Sequence, residues 1–283
     1  MDHSAIINFI PGKTFLHKLT GESKVKLFVI LIIYTIMSFD LPLLLPLFVL
    51  SIIALISLKP QWKSIKALIL IVVLVNLLNI FLYWIADPLC GLEYTNDQTV
   101  LFAFTQRLVV TRGTLWYLIV RLLKMFTSFM VSLVFIMSIT PSELAAGLYS
   151  LHLPYKFSSI VELAFRYIPD ISRDYKNIST SMQCRGIEMD PKKVKLSVRL
   201  KQMVLILIPL IITSFDRIGN IANAMDLRGF GKSKKRTYYC EHEPTKYDRI
   251  CKIIIYILFA FVVFYIVRKR VFPPITKMWI YWR

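Results

Sequence analysis

The hydrophobic positions of this chain fall into long blocks. From Val25 to Leu58 nearly every residue is apolar, longer than the about 20 residues that one membrane span needs. Asp40, Pro42 and Pro46 interrupt this block near its middle. That pattern predicts a tight hairpin, with one span at about 25–39 and another at about 41–58. Further apolar blocks predict spans at about 66–86, 114–139 and 250–267. Residues 87–113 separate the third and fourth as a polar loop with Asp87, Glu93, Asp97, Arg107 and Arg112.

Between the fourth and fifth spans the period changes. Thr140-Pro141-Ser142-Glu143 reads as a helix start, with Pro141 at the first helical position and Glu143 at the third. A short helix is expected at about 141–151. A second, at about 156–184, places Ile160, Leu163, Ala164, Tyr167, Ile168, Ile171, Tyr175, Ile178 and Met182 on one face. A third, at about 193–227, does the same with Leu196, Leu200, Met203, Leu207, Ile211, Phe215, Ile218, Ala222 and Met225. Its solid apolar run, Met203–Ile212, is too short to span alone. That helix is expected to be buried against others or to lie at the interface, with a kink at Pro209.

Composition fixes the class. The 283 residues are 56% hydrophobic, above the about 45–50% of soluble domains, so the chain reads as an all-α integral membrane protein. About five transmembrane helices accompany a domain of long amphipathic helices. The expected division is an N-terminal membrane domain at 1–139, a cytoplasmic coupling domain at 140–249, and a last span with its tail at 250–283. The net charge of +18 reads as topology and not as nucleic-acid binding, because aromatic residues lie inside apolar runs and not among basic loops. Residues 140–250 hold 18 Lys and Arg against 11 Asp and Glu, which assigns them to the cytoplasm. Lys59, Lys63 and Lys66 place their loop, and with it the N-terminus, on the same side. Five spans then put the C-terminus outside, against the positive charge of Arg268-Lys269-Arg270. Met1–Pro11 lack the build of a cleavable signal peptide, so the first span is expected to stay in the mature protein.

Polar residues inside the spans matter because hydrocarbon penalises them. Asn76 and Asn79, three apart, are expected to hydrogen-bond to neighbouring helices; a polar pathway is the alternative. Arg121 and Lys124 lie about two turns or more inside the fourth span, either snorkelling to the interface or contacting another helix. Cys90, Cys184, Cys240 and Cys251 form no C-x-x-C pair and have no histidine cluster, which argues against a metal site or disulfide framework. His3, His17, His152 and His242 are scattered, which disfavours a lipid-modifying enzyme. No G-x-x-x-x-G-K-[ST] loop is present.

Two stretches stand apart: Ser181-Met182-Gln183-Cys184-Arg185-Gly186 and Asn223-Ala224-Met225-Asp226-Leu227-Arg228-Gly229-Phe230. Each sets an Arg-Gly pair at the end of a long amphipathic helix. A cation in the last turn complements the helix dipole, and Gly186 and Gly229 suit a left-handed cap. Two such ends also present two guanidinium groups able to make bidentate contacts with carboxylates. The pattern leaves two readings open: capping alone, or a docking role for Arg185 and Arg228 toward a motor on another subunit.

These stretches carry a resemblance. Ile10–Leu19, Thr140-Pro141-Ser142-Glu143-Leu144, Glu162-Leu163-Ala164-Phe165-Arg166-Tyr167-Ile168-Pro169 and the two Arg-Gly signatures resemble the transmembrane coupling (T) component of energy-coupling factor ABC transporters, the EcfT/CbiQ family. The resemblance covers nearly the whole chain. It implies that two ABC ATPases each receive one Arg-Gly helix end, flanked by Cys184 and Leu227 and supported by Met182, Asn223, Met225 and Asp226. It further implies that the helices cradle a substrate-binding S component, in a bacterial cell membrane, for uptake of vitamins or transition-metal ions. The chain itself would be non-catalytic and hold no cofactor or metal, with ATP and Mg on the partner ATPases. The partners implied are the ATPases, the S component and the lipid bilayer, with no nucleic acid. The competing reading is a conventional ABC permease with its own translocation path.

The chain departs from the family pattern in two places. Cys184 and Leu227 stand where Ala usually precedes each Arg; both are apolar and expected to pack. The usual Asp-Pro-Arg after the opening segment is replaced by Thr20-Gly21-Glu22-Ser23.

Overall fold

The computed structural model describes residues 19–58, 60, 62–95, 99–103, 109–187, 196–232 and 246–271. The opening segment up to Lys18, most of the basic loop 231–249 and the tail after Val271 lie outside the described residues. The elements are α1 (Gly21–Met37), α2 (Leu41–Ser57), α3 (Trp62–Ala86), α4 (Leu92–Thr95), β1 (Val100–Ala103), β2 (Val109–Thr111), α5 (Arg112–Ser138), α6 (Pro141–Ser150), α7 (Tyr155–Cys184), α8 (Leu196–Leu227) and α9 (Lys246–Val271). They form two compact units. The described residues of Pro141–Glu241 make one, and those of Ile7–Thr140 and His242–Arg283 make the other.

In the second unit α5 is the organising helix. Thr111 begins it by accepting a hydrogen bond from the Thr114 backbone N–H at 3.1 Å, the usual way to satisfy an orphan donor at a helix start. The α1–α2 hairpin packs along it. Leu44 of α2 shares a buried cluster with Tyr117 and Val120, and Leu55 shares another with Met130 and Leu133, so α2 runs parallel to α5. On α1, buried Lys24 donates to the Ser138 carbonyl at 2.9 Å, and the Phe28 and Phe135 rings stack 4.1 Å apart. Near its other end the Ile36 carbonyl accepts from Lys124, so α1 is antiparallel to α5.

The hairpin turns at Ser38–Asp40. Pro42 lies in the first turn of α2 and Pro46 inside it, so of the three expected interrupters only Asp40 falls in the break. Proline is tolerated in a first turn, where its missing N–H had no partner.

The α9 helix closes this unit. Its first-turn Asp248 is fully buried and accepts from both the Thr20 backbone N–H at 2.8 Å and the Thr20 hydroxyl at 2.9 Å. Seventeen residues further on, Tyr265 donates to the buried Asp40 carboxylate at 2.8 Å. Start therefore meets start and end meets end, so α9 is parallel to α1. Both of its ends fall on the same sides as those of α1. The departure at Thr20–Ser23 thus has a structural consequence, because Thr20 ties α1 to α9.

The connection 87–113, expected as a loop, is more ordered than its polarity suggested. It holds α4 and an antiparallel β1–β2 ribbon; Val109-Val110-Thr111 is β-branched and suits a strand. Gly91 lies so close to α5 that a Cβ there would sit 2.2 Å from the Thr114 nitrogen. Only glycine fits that approach.

Among the described residues, α3, α5, α8 from Leu200 onward, and α9 up to Arg268 are long and apolar enough to cross a membrane. The hairpin helices α1 and α2 are shorter, at 17 residues each. The chain is a multi-pass, all-α membrane protein.

The α8 assignment modifies an expectation. Ile206 and Leu210 are buried, but Val204, Leu205, Leu207, Ile208, Ile211 and Ile212 are exposed. The Met203–Ile212 run is thus not buried within the chain, and Leu200–Leu227 as a whole has the length and composition of a span. Of the two expected settings, burial against other helices of the chain does not hold. The helix continues through Pro209.

The intramembrane polar residues also depart from expectation. Asn76 donates to the Val72 carbonyl one turn earlier in its own helix, at 2.8 Å, and Asn79 is exposed. Neither bonds a neighbouring helix, because the carbonyl four residues back is always in reach of a short polar side chain. Arg121 and Lys124, by contrast, do contact other helices. Arg121 lies over the Tyr83 ring of α3 at 3.6 Å. Lys124 donates to the α1 carbonyl of Ile36 at 2.6 Å.

Candidate functional site

The two Arg-Gly ends belong to the same compact unit and have the same local structure. In α7, Arg185 occupies the C-cap. The Gly186 N–H donates to the Gln183 carbonyl at 3.0 Å and the Ile187 N–H to the Met182 carbonyl at 3.1 Å. In α8, the Gly229 N–H donates to the Asp226 carbonyl at 2.9 Å and the Phe230 N–H to the Met225 carbonyl at 2.9 Å. Both are Schellman closures, with a left-handed residue satisfying carbonyls that the helix leaves unpaired. Gly186 has φ +91° and Gly229 φ +71°, where an L side chain is strained. The two ends thus read position for position as Met-x-x-Arg-Gly-apolar.

The repetition fixes what each end displays. Arg185 and Arg228 are exposed, while Met182 and Met225 are half-buried under the closing residues. Asn223 and Asp226 lie exposed on the last turns of α8. Cys184 and Leu227 occupy equivalent last helical positions, and the expectation that they pack does not hold within the chain. Cys184 is exposed, and Leu227 is 89% exposed. Each end therefore presents an exposed arginine beside an exposed apolar side chain.

Behind these ends the helices are joined. The Arg217 guanidinium of α8 donates to the Asp174 carboxylate of α7, and both side chains are about one-third exposed. The pair is separated by 43 positions, the same spacing as Arg185 to Arg228. Asp174 and Arg217 therefore each stand eleven residues before their helix's arginine. At 1.5 Å per residue, two arms of about 16 Å run from one ion pair to the two ends. The sequence reading missed this pair. The 43-residue spacing could not have identified it, because Arg173 and Asp216 are opposite charges with the same spacing, and Arg173 pairs with Asp170 instead.

Along the same arm of α8, a recess of about 520 Å³ is lined by Thr213, Asp216, Arg217, Asn220, Ile221 and Ala224. Where the tail of the unit folds back, the Phe230 ring meets the Tyr155 ring edge-on at 5.7 Å. That contact anchors the second end to the base of α7. The apolar face predicted for α7 is largely uncovered: Ile160, Ile168, Ile171 and Tyr175 are exposed. With the bare apolar surface of α8, this leaves exposed apolar faces on both long helices. Among the described residues, no three His, Cys, Asp or Glu side chains are grouped to hold a metal ion.

The family model CbiQ, described as cobalt transport protein, matches residues 12–239. The chain is 27% identical to the energy-coupling factor transporter transmembrane protein EcfT of Staphylococcus aureus over 242 residues, 82% of this chain and 85% of that protein. It is 24% identical to the EcfT of Bacillus subtilis over 251 residues, covering 84% and 89%. With the EcfT of Clostridium kluyveri it shares 25% identity over 264 residues, covering 88% and 92%. The chain therefore belongs to the EcfT/CbiQ family, the transmembrane components of energy-coupling factor transporters.

Proposed function

We propose that this chain is the non-catalytic energy-coupling subunit of an importer in a bacterial cell membrane. The observation that carries the reading is the duplicated helix end, with Arg185 and Arg228 at equivalent caps beside exposed Cys184 and Leu227. Each end docks one of two ABC ATPases. An acidic, apolar-floored groove on the ATPase complements an arginine next to a bare apolar side chain. ATP and Mg are held by the ATPases. Their approach and separation move the two ends, and the joined helices carry that motion to the membrane. The uncovered apolar faces of α7 and α8 then receive a small S component membrane protein, which binds a vitamin or a transition-metal ion. The relatives' printed names, energy-coupling factor transporter and cobalt transport, support this assignment.

The test is isolation of the complex. Affinity purification of the tagged chain from its native membrane should yield two ATPase chains and one small membrane protein, and the mixture should hydrolyse ATP. Recovery of the chain with a second permease subunit and a soluble substrate-binding protein would instead support a conventional permease.

A further inference from the structure

The two helix ends share methionine, arginine and glycine at equivalent positions, yet they are not interchangeable. Met182-Gln183-Cys184-Arg185-Gly186-Ile187 aligns with Met225-Asp226-Leu227-Arg228-Gly229-Phe230. Both arginines are exposed, and both closures turn through a left-handed glycine. Two differences remain, and they point the same way.

The first is the residue before each arginine. Leucine carries a branched hydrocarbon side chain, cysteine a single methylene and a thiol. Leu227 is 89% exposed, so nearly all of its apolar surface is available to a partner. Burying a leucine side chain completely favours association about ten- to a hundredfold. Cys184 is exposed as well, but its smaller side chain gives only a gain of about threefold.

The second is how each end is held. The Phe230 ring meets the ring of Tyr155, the first residue of α7, edge-on at 5.7 Å. That contact fixes the chain directly after Arg228. Ile187, at the equivalent position after Arg185, has no ring, and among the described residues no aromatic contact holds the α7 end. A segment that is already ordered loses less conformational freedom on binding. Apolar bulk and order therefore both favour the α8 end.

On the docking reading proposed above, on which this rests, we infer that the two ends grip unequally. The α8 end is the tighter one, and Leu227 is its anchor. The ATPase surface it fits has a carboxylate for Arg228 beside an apolar pocket deep enough for a leucine. The α7 end meets a shallower surface beside the carboxylate for Arg185, and the ATPase held there is the first to leave.

The experiment uses the full-length tagged chain, co-expressed with the ATPase subunits that co-purify with it, and follows release of those subunits from the immobilised complex without nucleotide. L227A should speed release about tenfold or more and C184A about threefold at most, and R228E should cost more retention than R185E. In the exchanged chain C184L/L227C the order of the two arginine variants should reverse. Equal effects of L227A and C184A, a larger effect of C184A, or an arginine order unchanged by the exchange would each overturn the inference. Wild-type retention by both R185E and R228E is a different result, and it would remove the docking reading itself. Should L227A lower the melting temperature of the chain, L227M decides, because it keeps the apolar bulk: release at the wild-type rate supports the anchor, and release as fast as in L227A overturns it.

Discussion

The cross-link between α7 and α8 supplies a quantitative prediction. In Asp174→Ala the Arg217 guanidinium loses its carboxylate partner. Its Nη1 is already buried without a hydrogen-bond partner, so the substitution leaves a second nitrogen unsatisfied. A hydrogen bond to a charged group contributes about 1.5–3 kcal/mol, and breaking a fully buried pair costs about 3–5 kcal/mol. Both side chains here are about one-third exposed, so solvent replaces part of the loss. A cost of about 1–2 kcal/mol follows, or about 2–8 °C in melting temperature. The assay is a double-mutant cycle on the purified chain with Asp174→Ala, Arg217→Ala and both together. Because the second substitution removes a charge that the first has stranded, the double variant should be more stable than the summed losses imply, by about 1 kcal/mol. Strict additivity would refute the pair as a joint. The exchanged variant D174R/R217D should recover much of the stability, and ATP-driven uptake with it, since the crossing point is preserved.

Other expectations concern separate parts of the molecule. Gly186→Ala and Gly229→Ala should each destabilise their helix end by about 1–2 kcal/mol, read as faster amide exchange at residues 182–187 or 225–230. Gly219→Ala, in mid-helix with open space around it, should instead be neutral or stabilising by up to about 1 kcal/mol. A maleimide should modify Cys184, which is exposed, and spare Cys90, which is 3% exposed and whose thiol is pushed up to about 11 by burial and the neighbouring Asp87. Bound ATPase should then protect Cys184, and unchanged labelling in the complex would count against docking at that end. Lys24→Met should loosen α1 from α5 by about 1–3 kcal/mol, seen as a lower melting temperature in detergent.

Much of the architecture is legible in the chain because local rules decide it. Gly186 and Gly229 mark helix ends by a backbone requirement that no tertiary contact overrides. The predicted helices at 156–184 and 193–227 correspond to Tyr155–Cys184 and Leu196–Leu227, since a period of 3.6 persists along each. What escapes is set by distance. The Thr20–Asp248 clamp joins residues 228 apart, and the Asp40–Tyr265 bond joins residues 225 apart. Neither residue type announces its partner. Asn76 shows the opposite limit: its polarity was visible, but a nearby carbonyl of its own helix satisfies it. For Leu227, hydrophobicity suggested burial, yet the side chain is 89% exposed.

The central claim is that Arg185 and Arg228 are the joints to two ATPases. The most direct measurement is retention of the ATPases by the tagged chain when all subunits are co-expressed, comparing wild type with Arg185→Glu, Arg228→Glu and the double variant. Docking at these ends predicts that each single variant weakens retention and abolishes uptake, and that the double variant inserts normally but purifies without ATPase. Wild-type retention by both single variants and by the double variant would contradict it.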